Sequence, residues 1–166
     1  LSIGEKIKEF EDAFAVFVGA KHAVAVNSGT SGLHLAVIAA RIKDGDEVIT
    51  PSFSFIASAI SILYEGGKPV FVDIDPLTGN IDPAKIGAAI TERTRAIMPV
   101  HAFGQPTDMD AVLDIARRNN LYAIEDACEA VGAHYKGQLV GTMGDAAVFA
   151  FCPNKQMTTG EGGMIV

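Results

Sequence analysis

The chain has 166 residues, of which 49% are hydrophobic, so it is long and apolar enough for one domain with a sizeable core. Its formal net charge at pH 7 is −7 and its basic residues form no run, which excludes nucleic acid as an expected partner. We see no signal peptide and no apolar stretch that would span a bilayer, and therefore expect no membrane partner and a cytoplasmic location. The two cysteines, Cys128 and Cys152, do not indicate a disulfide framework, and no Cys/His spacing indicates a metal site.

Helical and extended patterns alternate along the chain. The first helix is predicted over 7–18, where apolar side chains recur at three- and four-residue intervals. Further helices are predicted over 31–41, 55–64, 82–90 and 108–119, the last two opening with a capping aspartate. Short apolar runs predict strands at 23–26, 48–50, 70–72, 96–99, 122–125, 146–151 and 164–166. This alternation predicts an α/β fold with a mostly parallel sheet and helices on both faces.

Lys155 lies between a buried strand and a glycine-rich turn. The apolar residues 147–151 predict the end of a buried strand, and the small polar segment 156–163 follows the lysine. A lysine in such a place is partly removed from water, and desolvation disfavours the charged form of an amine. A neutral amine can attack a carbonyl and form a Schiff base. The alternative interpretation is a plain surface charge.

Carboxylates follow the apolar run 121–124, at the end where open α/β sheets place their ligands. Asp126 and Glu129 are three residues apart and lie near one face if the turn between them is helical. An aspartate that pairs with a pyridinium nitrogen is the known partner of a pyridoxal phosphate lysine. A helix N-cap is the alternative role of Asp126, and a solvated carboxylate is the alternative for Glu129. His101 also follows a strand, and both a ligand contact and a structural role fit it.

A turn of small polar residues links the first predicted strand to the second helix. Thr30 and Ser31 lie at the start of that helix, where backbone N–H groups and small hydroxyls form an anion site that could hold a phosphate. Serine and threonine also cap helices without any ligand. Lys155, Asp126 and this turn are three candidate sites, each at a predicted strand end. Their common placement favours one shared ligand.

Together these segments resemble the pyridoxal phosphate-dependent sugar aminotransferases of the DegT/DnrJ/StrS type, which have the fold of aspartate aminotransferase. The resemblance covers essentially all 166 residues and implies the large, cofactor-binding domain of the fold-type I transferases. The matching segments follow the order and spacing of the family; they are 28–35 (SGTSGLHL), 45–55 (GDEVITPSFSF), 69–75 (PVFVDID), 99–104 (PVHAFG), 124–130 (IEDACEA) and 149–163 (FAFCPNKQMTTGEGG).

The resemblance implies a role for each matching position. Lys155 corresponds to the Schiff-base lysine, and Asp126 to the partner of the pyridine nitrogen. The turn that holds the cofactor phosphate corresponds to Gly29, Thr30 and Ser31.

Three further positions concern the surroundings of the cofactor. Phe55 corresponds to the aromatic residue that stacks on the ring. Glu129 lies where the family often has Gln or His, near the ring substituents. Ala150 departs from the family pattern, because relatives often have a serine there that adds a phosphate contact.

The resemblance implies a ping-pong aminotransferase that moves an amino group from glutamate or glutamine to a keto-sugar, nucleotide-linked, or to a keto-cyclitol. Other pyridoxal phosphate chemistry on the same fold, such as desulfuration, elimination or sugar dehydration, is one alternative. A non-catalytic, cofactor-binding regulatory paralogue is another. Lys155 favours transamination, since the dehydratases of the family carry histidine at that position.

Members of the family are longer at both ends than this chain. We therefore expect residues 1–166 to be a partial cofactor-binding domain, without the family's N-terminal segment and C-terminal small domain. The full-length protein is expected to be a homodimer. The 166 residues alone are expected to be inactive, because the family completes its sites with a second subunit and the C-terminal domain.

Overall fold

The computed structural model describes residues 4–166, in which helices and strands alternate. The helices are α1 (Glu5–Val18), α2 (Gly29–Ala39), α3 (Ala57–Leu63), α4 (Pro83–Ala89) and α5 (Met109–Arg118). The strands are β1 (Val24–Val26), β2 (Glu47–Pro51), β3 (Lys68–Val72), β4 (Thr94–Ile97), β5 (Tyr122–Asp126), β6 (His134–Tyr135), β7 (Gln138–Leu139), β8 (Ala146–Ala150) and β9 (Gly163–Ile165). A short 3-10 turn spans Ala102–Gly104.

One sheet of seven strands has the order β1-β9-β8-β5-β4-β2-β3. All neighbours from β8 to β3 run parallel, whereas β9 runs antiparallel to both β1 and β8. The prediction of a mostly parallel sheet is confirmed. Because parallel strands end at the same edge, the segments that follow β5 and β8 come together there.

Alternation of side chains along the strands divides the core into two layers. Val48 of β2 and Ile124 of β5 pack against α2 and α3, and their chain neighbours Ile49 and Ala123 pack against α4 and α5 on the opposite face. Helix α1 covers β8 and β9 on that second face through Phe14 and other apolar residues. Helices therefore lie on both faces of the sheet, as predicted.

Several bounds differ from the predicted ones by one or two residues, and one of these shifts concerns a candidate site residue. The helix predicted over 55–64 begins only at Ala57, so Phe55 lies in the preceding loop. The two-stranded hairpin of β6 and β7 was not predicted, because strands of two residues are too short to show an alternating pattern. Its turn residues Lys136 and Gly137 both have positive φ, 50° and 86°, as a tight hairpin turn requires.

A buried carboxylate holds the end of β5. Glu125 is completely buried, and its Oε2 accepts hydrogen bonds from His101 Nε2 at 3.0 Å and Gly141 N at 2.8 Å. Its Oε1 accepts hydrogen bonds from Met143 N at 2.8 Å and Gly144 N at 2.7 Å. These four bonds join β5 to two loops that are distant in sequence.

The same contacts decide the role of His101. From the sequence, both a ligand contact and a structural role fitted this residue. Its ring is completely buried, and its Nδ1 accepts a hydrogen bond from Thr107 N at 3.1 Å. Because Nδ1 is an acceptor, Nε2 is the ring nitrogen that donates to Glu125. Both ring nitrogens are used within the fold, so the structure assigns His101 a structural role.

Burial by itself raises the pKa of Glu125, but the hydrogen bonds from His101, Gly144 and Gly141 outweigh it, and the pKa is lowered overall. A carboxyl group whose pKa is lowered by folding stabilises the fold above its ordinary pKa of 4.5. That contribution is lost as the pH falls through the lowered pKa.

We expect Glu125→Gln to lower the free energy of unfolding at neutral pH by about 1–3 kcal/mol, because an amide cannot accept all four hydrogen bonds. The difference from the unmodified protein should shrink as the pH falls below the ordinary pKa of 4.5 and through the lowered pKa of the folded state, since the carboxyl group then protonates in both states. Urea denaturation at several pH values measures this. Glu92→Gln, at an exposed position, is the control, and a difference that does not change with pH would contradict the prediction.

Gly163 allows β9 to pass between two backbone segments. A Cβ atom at this position would lie 2.8 Å from the carbonyl carbon and oxygen of Ser28 and 2.9 Å from the carbonyl oxygen of Phe149. These are backbone atoms that cannot rotate away. The glycine therefore sets the distance between β9 and the turn at the start of α2.

Gly163→Ala should destabilise the protein by about 1–3 kcal/mol, as expected for an added methyl group in a packed site. Gly87→Ala should instead stabilise it by roughly 0.5–1 kcal/mol, because Gly87 lies exposed in α4 with open space around its Cα. Chemical denaturation of both variants tests the pair. Equal effects of the two substitutions would show that the close approach at Gly163 is unimportant.

Candidate active site at the carboxyl edge of the sheet

A cavity of about 500 Å³ lies at the edge of the sheet where β5 and β8 end. Of the predicted site residues, the structure brings six together in its lining: Gly29, Thr30, Phe55, Asp126, Glu129 and Lys155. Ser31 is not part of the lining. Ser28, Phe53, Phe103, Cys128 and Ala150 contribute to it as well. A cavity of this size is typical of a site for a small molecule or cofactor.

The start of α2 forms one wall of the cavity. Ser28 is the N-cap, and its Oγ accepts a hydrogen bond from Ser31 N at 3.1 Å. Ser31 thus takes part in the capping interaction that the sequence analysis gave as the alternative. The first N–H groups of a helix have no partner within the helix, so those of Gly29 and Thr30 are available to an anion.

The helix start approaches the end of β8 very closely. A Cβ atom on Gly29 would lie 2.7 Å from the Cβ of Ala150 and 2.9 Å from the Sγ of Cys128. Only glycine fits at this position, and a small residue is needed opposite it. Relatives often have serine at position 150. Ala150 therefore keeps the close contact with Gly29 but adds no hydroxyl group to the cavity wall.

Asp126 lies in the floor of the cavity and is only 5% exposed. Its Oδ2 accepts a hydrogen bond from Ser58 Oγ at 2.7 Å, and its Oδ1 accepts one from Cys128 N at 3.2 Å. The chain forms a turn after Asp126 and no helix begins there, so the alternative of a helix N-cap is wrong. The predicted helical turn between Asp126 and Glu129 is absent too, although both side chains line the same cavity.

Sequence reasoning missed Ser58, which holds the Asp126 carboxylate in place. Ser58 lies on the buried face of α3 among apolar residues and is 2% exposed. A buried hydroxyl group requires a hydrogen-bonding partner. That requirement was the available signal, but it does not identify the partner, which is 68 residues away.

Lys155 and Glu129 form an ion pair inside the cavity. The Nζ of Lys155 donates to Glu129 Oε1 at 2.9 Å, and the two side chains are 12% and 33% exposed. Glu129 Oε2 accepts a hydrogen bond from Phe103 N at 3.1 Å. Burial raises the pKa of Glu129, but these hydrogen bonds and the charge of Lys155 outweigh it, so the pKa is lowered overall. The interpretations as a plain surface lysine and as a solvated helix carboxylate are therefore wrong.

Aromatic rings surround the mouth of the cavity. Phe55 is 73% exposed and Phe103 is 78% exposed. Phe53 lies in an edge-to-face arrangement with Phe103, with 6.0 Å between the ring centroids. The rings of Phe53 and Phe103 were not predicted as part of the site, since nothing in their local sequence indicates which loop faces the cavity.

The two cysteines are both free thiols beside the cavity. Burial, followed by the charge of Asp126, raises the pKa of the Cys128 thiol well above its ordinary value. A thiol with a raised pKa is typical of a buried packing cysteine, and Cys128 packs against the start of α2 at Gly29. Within residues 4–166, the structure contains no cluster of His, Cys, Asp and Glu that could hold a metal ion. In the same range no helix is long and apolar enough to cross a membrane.

The site combines three chemical features in one cavity: N–H groups for an anion, a buried carboxylate and an amine. GDP-perosamine synthase from Caulobacter vibrioides is 59% identical over 164 residues, which are 99% of this chain and 44% of that protein. The chain thus spans less than half the length of this relative.

Solved structures agree with this relationship. The aminotransferase from Psychrobacter cryohalolentis matches with a TM-score of 0.96 at 46% identity, over 98% of this chain and 42% of that one. The putative sugar aminotransferase Spr1654 from Streptococcus pneumoniae in its PLP-form matches with a TM-score of 0.95 at 31% identity, over 99% of this chain and 46% of that one. The fold is therefore that of the pyridoxal phosphate-dependent aminotransferases, as predicted.

A sequence profile of one family matches residues 1–166, the full length of the chain. The resemblance that its motifs indicate is therefore confirmed. This chain belongs to the DegT/DnrJ/EryC1/StrS aminotransferase family.

Proposed function

We propose that residues 1–166 form a large part of the cofactor-binding domain of a pyridoxal phosphate-dependent aminotransferase. The amino group passes from glutamate or glutamine to a nucleotide-linked keto-sugar. The single observation that carries the proposal is the cavity that joins Lys155, Asp126 and the start of α2. The relatives are more than twice as long as this chain, and we propose that their remaining length completes the site in a cytoplasmic homodimer.

The residues of the cavity fit the three functional groups of pyridoxal phosphate. Gly29 and Thr30 have N–H groups free for the phosphate at the positive end of α2. Asp126 offers a buried carboxylate to the ring nitrogen, and Lys155 offers an amine to the aldehyde. When bound, this cofactor acts as an electron sink for a carbanion on the substrate.

Asp126 stabilises positive charge on the ring nitrogen. Its orientation is fixed by Ser58 and by the N–H of Cys128, so it needs no rearrangement during the reaction. A charge-assisted hydrogen bond is roughly twice as strong as a neutral one. The carboxylate, and not merely a polar atom, is therefore required at this position.

Lys155 transfers protons as a general acid and base. Its amine lies in a largely water-excluded position, and Glu129 holds it at a defined point of the cavity wall. Such positioning keeps the amine close to the reacting atoms while it is not bonded to the cofactor. Glu129 is therefore proposed as the residue that receives the lysine amine whenever it is free.

A nucleotide-linked amino sugar is proposed as the product because the curated relative with 59% identity is a GDP-perosamine synthase. Transamination is reversible, so GDP-perosamine can be supplied as an amine source to the complete protein loaded with pyridoxal phosphate. We expect 2-oxoglutarate to be converted to glutamate, measured by mass spectrometry. If the protein reacts with glutamate but not with GDP-perosamine, the proposed acceptor is contradicted. The assignment of the cofactor is unaffected by that result.

Replacing Lys155 by alanine should abolish the bond between protein and cofactor that borohydride makes permanent, because no amine then faces the aldehyde. The mass of the protein after reduction should show no added cofactor, whereas phosphate contacts still retain some unreduced cofactor. Lys68→Ala, at the opposite edge of the sheet next to Glu47, is the matched control and should be labelled normally. A labelled Lys155→Ala protein would show that another lysine is the anchor.

Replacing Asp126 by asparagine should reduce turnover about 100-fold or more, since each ~1.4 kcal/mol of lost transition-state stabilisation is a factor of ten. Cofactor affinity should change much less, because the phosphate and lysine contacts remain. Asp145→Asn is the control: Asp145 lies at the opposite end of the sheet, where it accepts a hydrogen bond from Ala123 N at 2.8 Å. Near-normal turnover in Asp126→Asn would remove Asp126 from this role.

A further inference from the structure

Phe103 has a backbone conformation that bulky residues rarely adopt. Its φ and ψ are 52° and 26°, in the left-handed region. Steric conflict between the side chain and the backbone makes this region unfavourable for residues other than glycine. Gly104, which follows with a φ of 83°, does not relieve the strain at Phe103 itself.

Hydrogen bonds from outside the turn hold Phe103 in this conformation. Asn80 is 2% exposed; its Oδ1 accepts a hydrogen bond from Ala102 N at 3.0 Å, and its Nδ2 donates one to Gln105 O at 2.8 Å. The N–H of Phe103 donates to Glu129 at 3.1 Å. Strained residues persist only where the surroundings hold them in this way, and they are concentrated at active sites and ligand clamps.

The strain at Phe103 does not serve to bury its ring. The side chain is 78% exposed, although it lines the cavity. Its backbone shares the Glu129 carboxylate with the amine of Lys155, one oxygen for each partner. The strained turn therefore presents an aromatic ring at the mouth of the cavity and fixes the backbone that carries this ring relative to the amine of Lys155.

The charges around the cavity restrict what can contact this ring. The lining contains the carboxylates of Asp126, Glu129 and Glu161, and among its residues Lys155 is the only cation. Apart from Lys155, the described lining therefore offers no cationic side chain to the phosphates of a nucleotide. An aromatic face suits the apolar, C–H-rich face of a sugar ring, because the face of the aromatic ring carries partial negative charge.

We infer that Phe103 is a positioning residue for the amino-group acceptor, and that its ring packs against the apolar face of the sugar next to Lys155. This inference rests on the function proposed above. It concerns the sugar and not the cofactor, so it predicts that Phe103 matters for one half of the reaction only.

The two half-reactions can be measured separately by single-turnover absorbance of the cofactor in the complete protein. For Phe103→Ala, we expect the rate constant with GDP-perosamine, divided by its half-saturating concentration, to fall about tenfold or more, the usual effect of a lost apolar contact. The same quantity with glutamate should change far less. Phe103→Tyr keeps the aromatic face and should be near normal, and Val16→Ala, at an exposed apolar position outside the cavity, is the control.

Four results would overturn the inference. Equal losses in both half-reactions would indicate a general structural role, and no loss in either would remove Phe103 from the site. If Phe103→Ala changes the molecular mass of the protein in solution, the ring contacts a second copy of the chain. Finally, if the unmodified protein reacts with glutamate but not with GDP-perosamine, the proposed acceptor is wrong and this assignment is wrong with it. If it reacts with neither, the proposed function fails first.

Stability provides a readout that does not depend on turnover. Alanine normally gives a more stable protein than glycine, but at a left-handed position its Cβ restores the steric conflict. Phe103→Gly should therefore melt at a temperature no lower than Phe103→Ala, while both lose the sugar half-reaction. A glycine variant that melts clearly below the alanine variant would show that Phe103 is not strained and would contradict the argument.

Discussion

The buried carboxylate of Glu125 is the interaction that organises the functional edge of the sheet. It accepts hydrogen bonds from the ring of His101 and from three backbone N–H groups in the loop before β8. A buried carboxylate is tolerated only while its partners remain in place, so neither loop can move independently of β5. Successive residues of a strand point to opposite faces. With Glu125 anchored on one face, Asp126 is directed to the other face, where Ser58 of α3 receives it.

Close packing of small residues then sets the dimensions of the cavity. Gly29 lies against Ala150 and Cys128, and Gly163 lies against the backbone of Ser28. These contacts bring the start of α2 to the end of β8, so the N–H groups of the helix face the same space as Asp126 and Lys155. The start of α2, the Asp126 carboxylate and the Lys155 amine thus lie in one cavity because a parallel sheet aligns the ends of its strands.

Glu129 connects the chemistry of the cavity to its mouth. One oxygen holds the amine of Lys155, and the other holds the N–H of the strained Phe103. Glu129, which the family resemblance places near the cofactor ring, joins the amine of Lys155 to the backbone N–H of Phe103 in this structure. The same carboxylate therefore fixes two groups that must be correctly placed relative to each other.

The amino-acid sequence by itself determined the alternation of helices and strands, the parallel sheet, and caps such as Asp82 and Asp108, because these depend on periodicity and on hydrogen bonds within a few residues. Together with the family resemblance it also identified six residues of the cavity lining, whereas Ser31, predicted with them, lies outside the lining, and the rings of Phe53 and Phe103 were not predicted. Only the tertiary structure decided that Ser58 holds Asp126, that Glu129 holds Lys155, and that His101 is structural. These contacts join residues 68, 26 and 24 positions apart, and local sequence carries no information about partners at such distances.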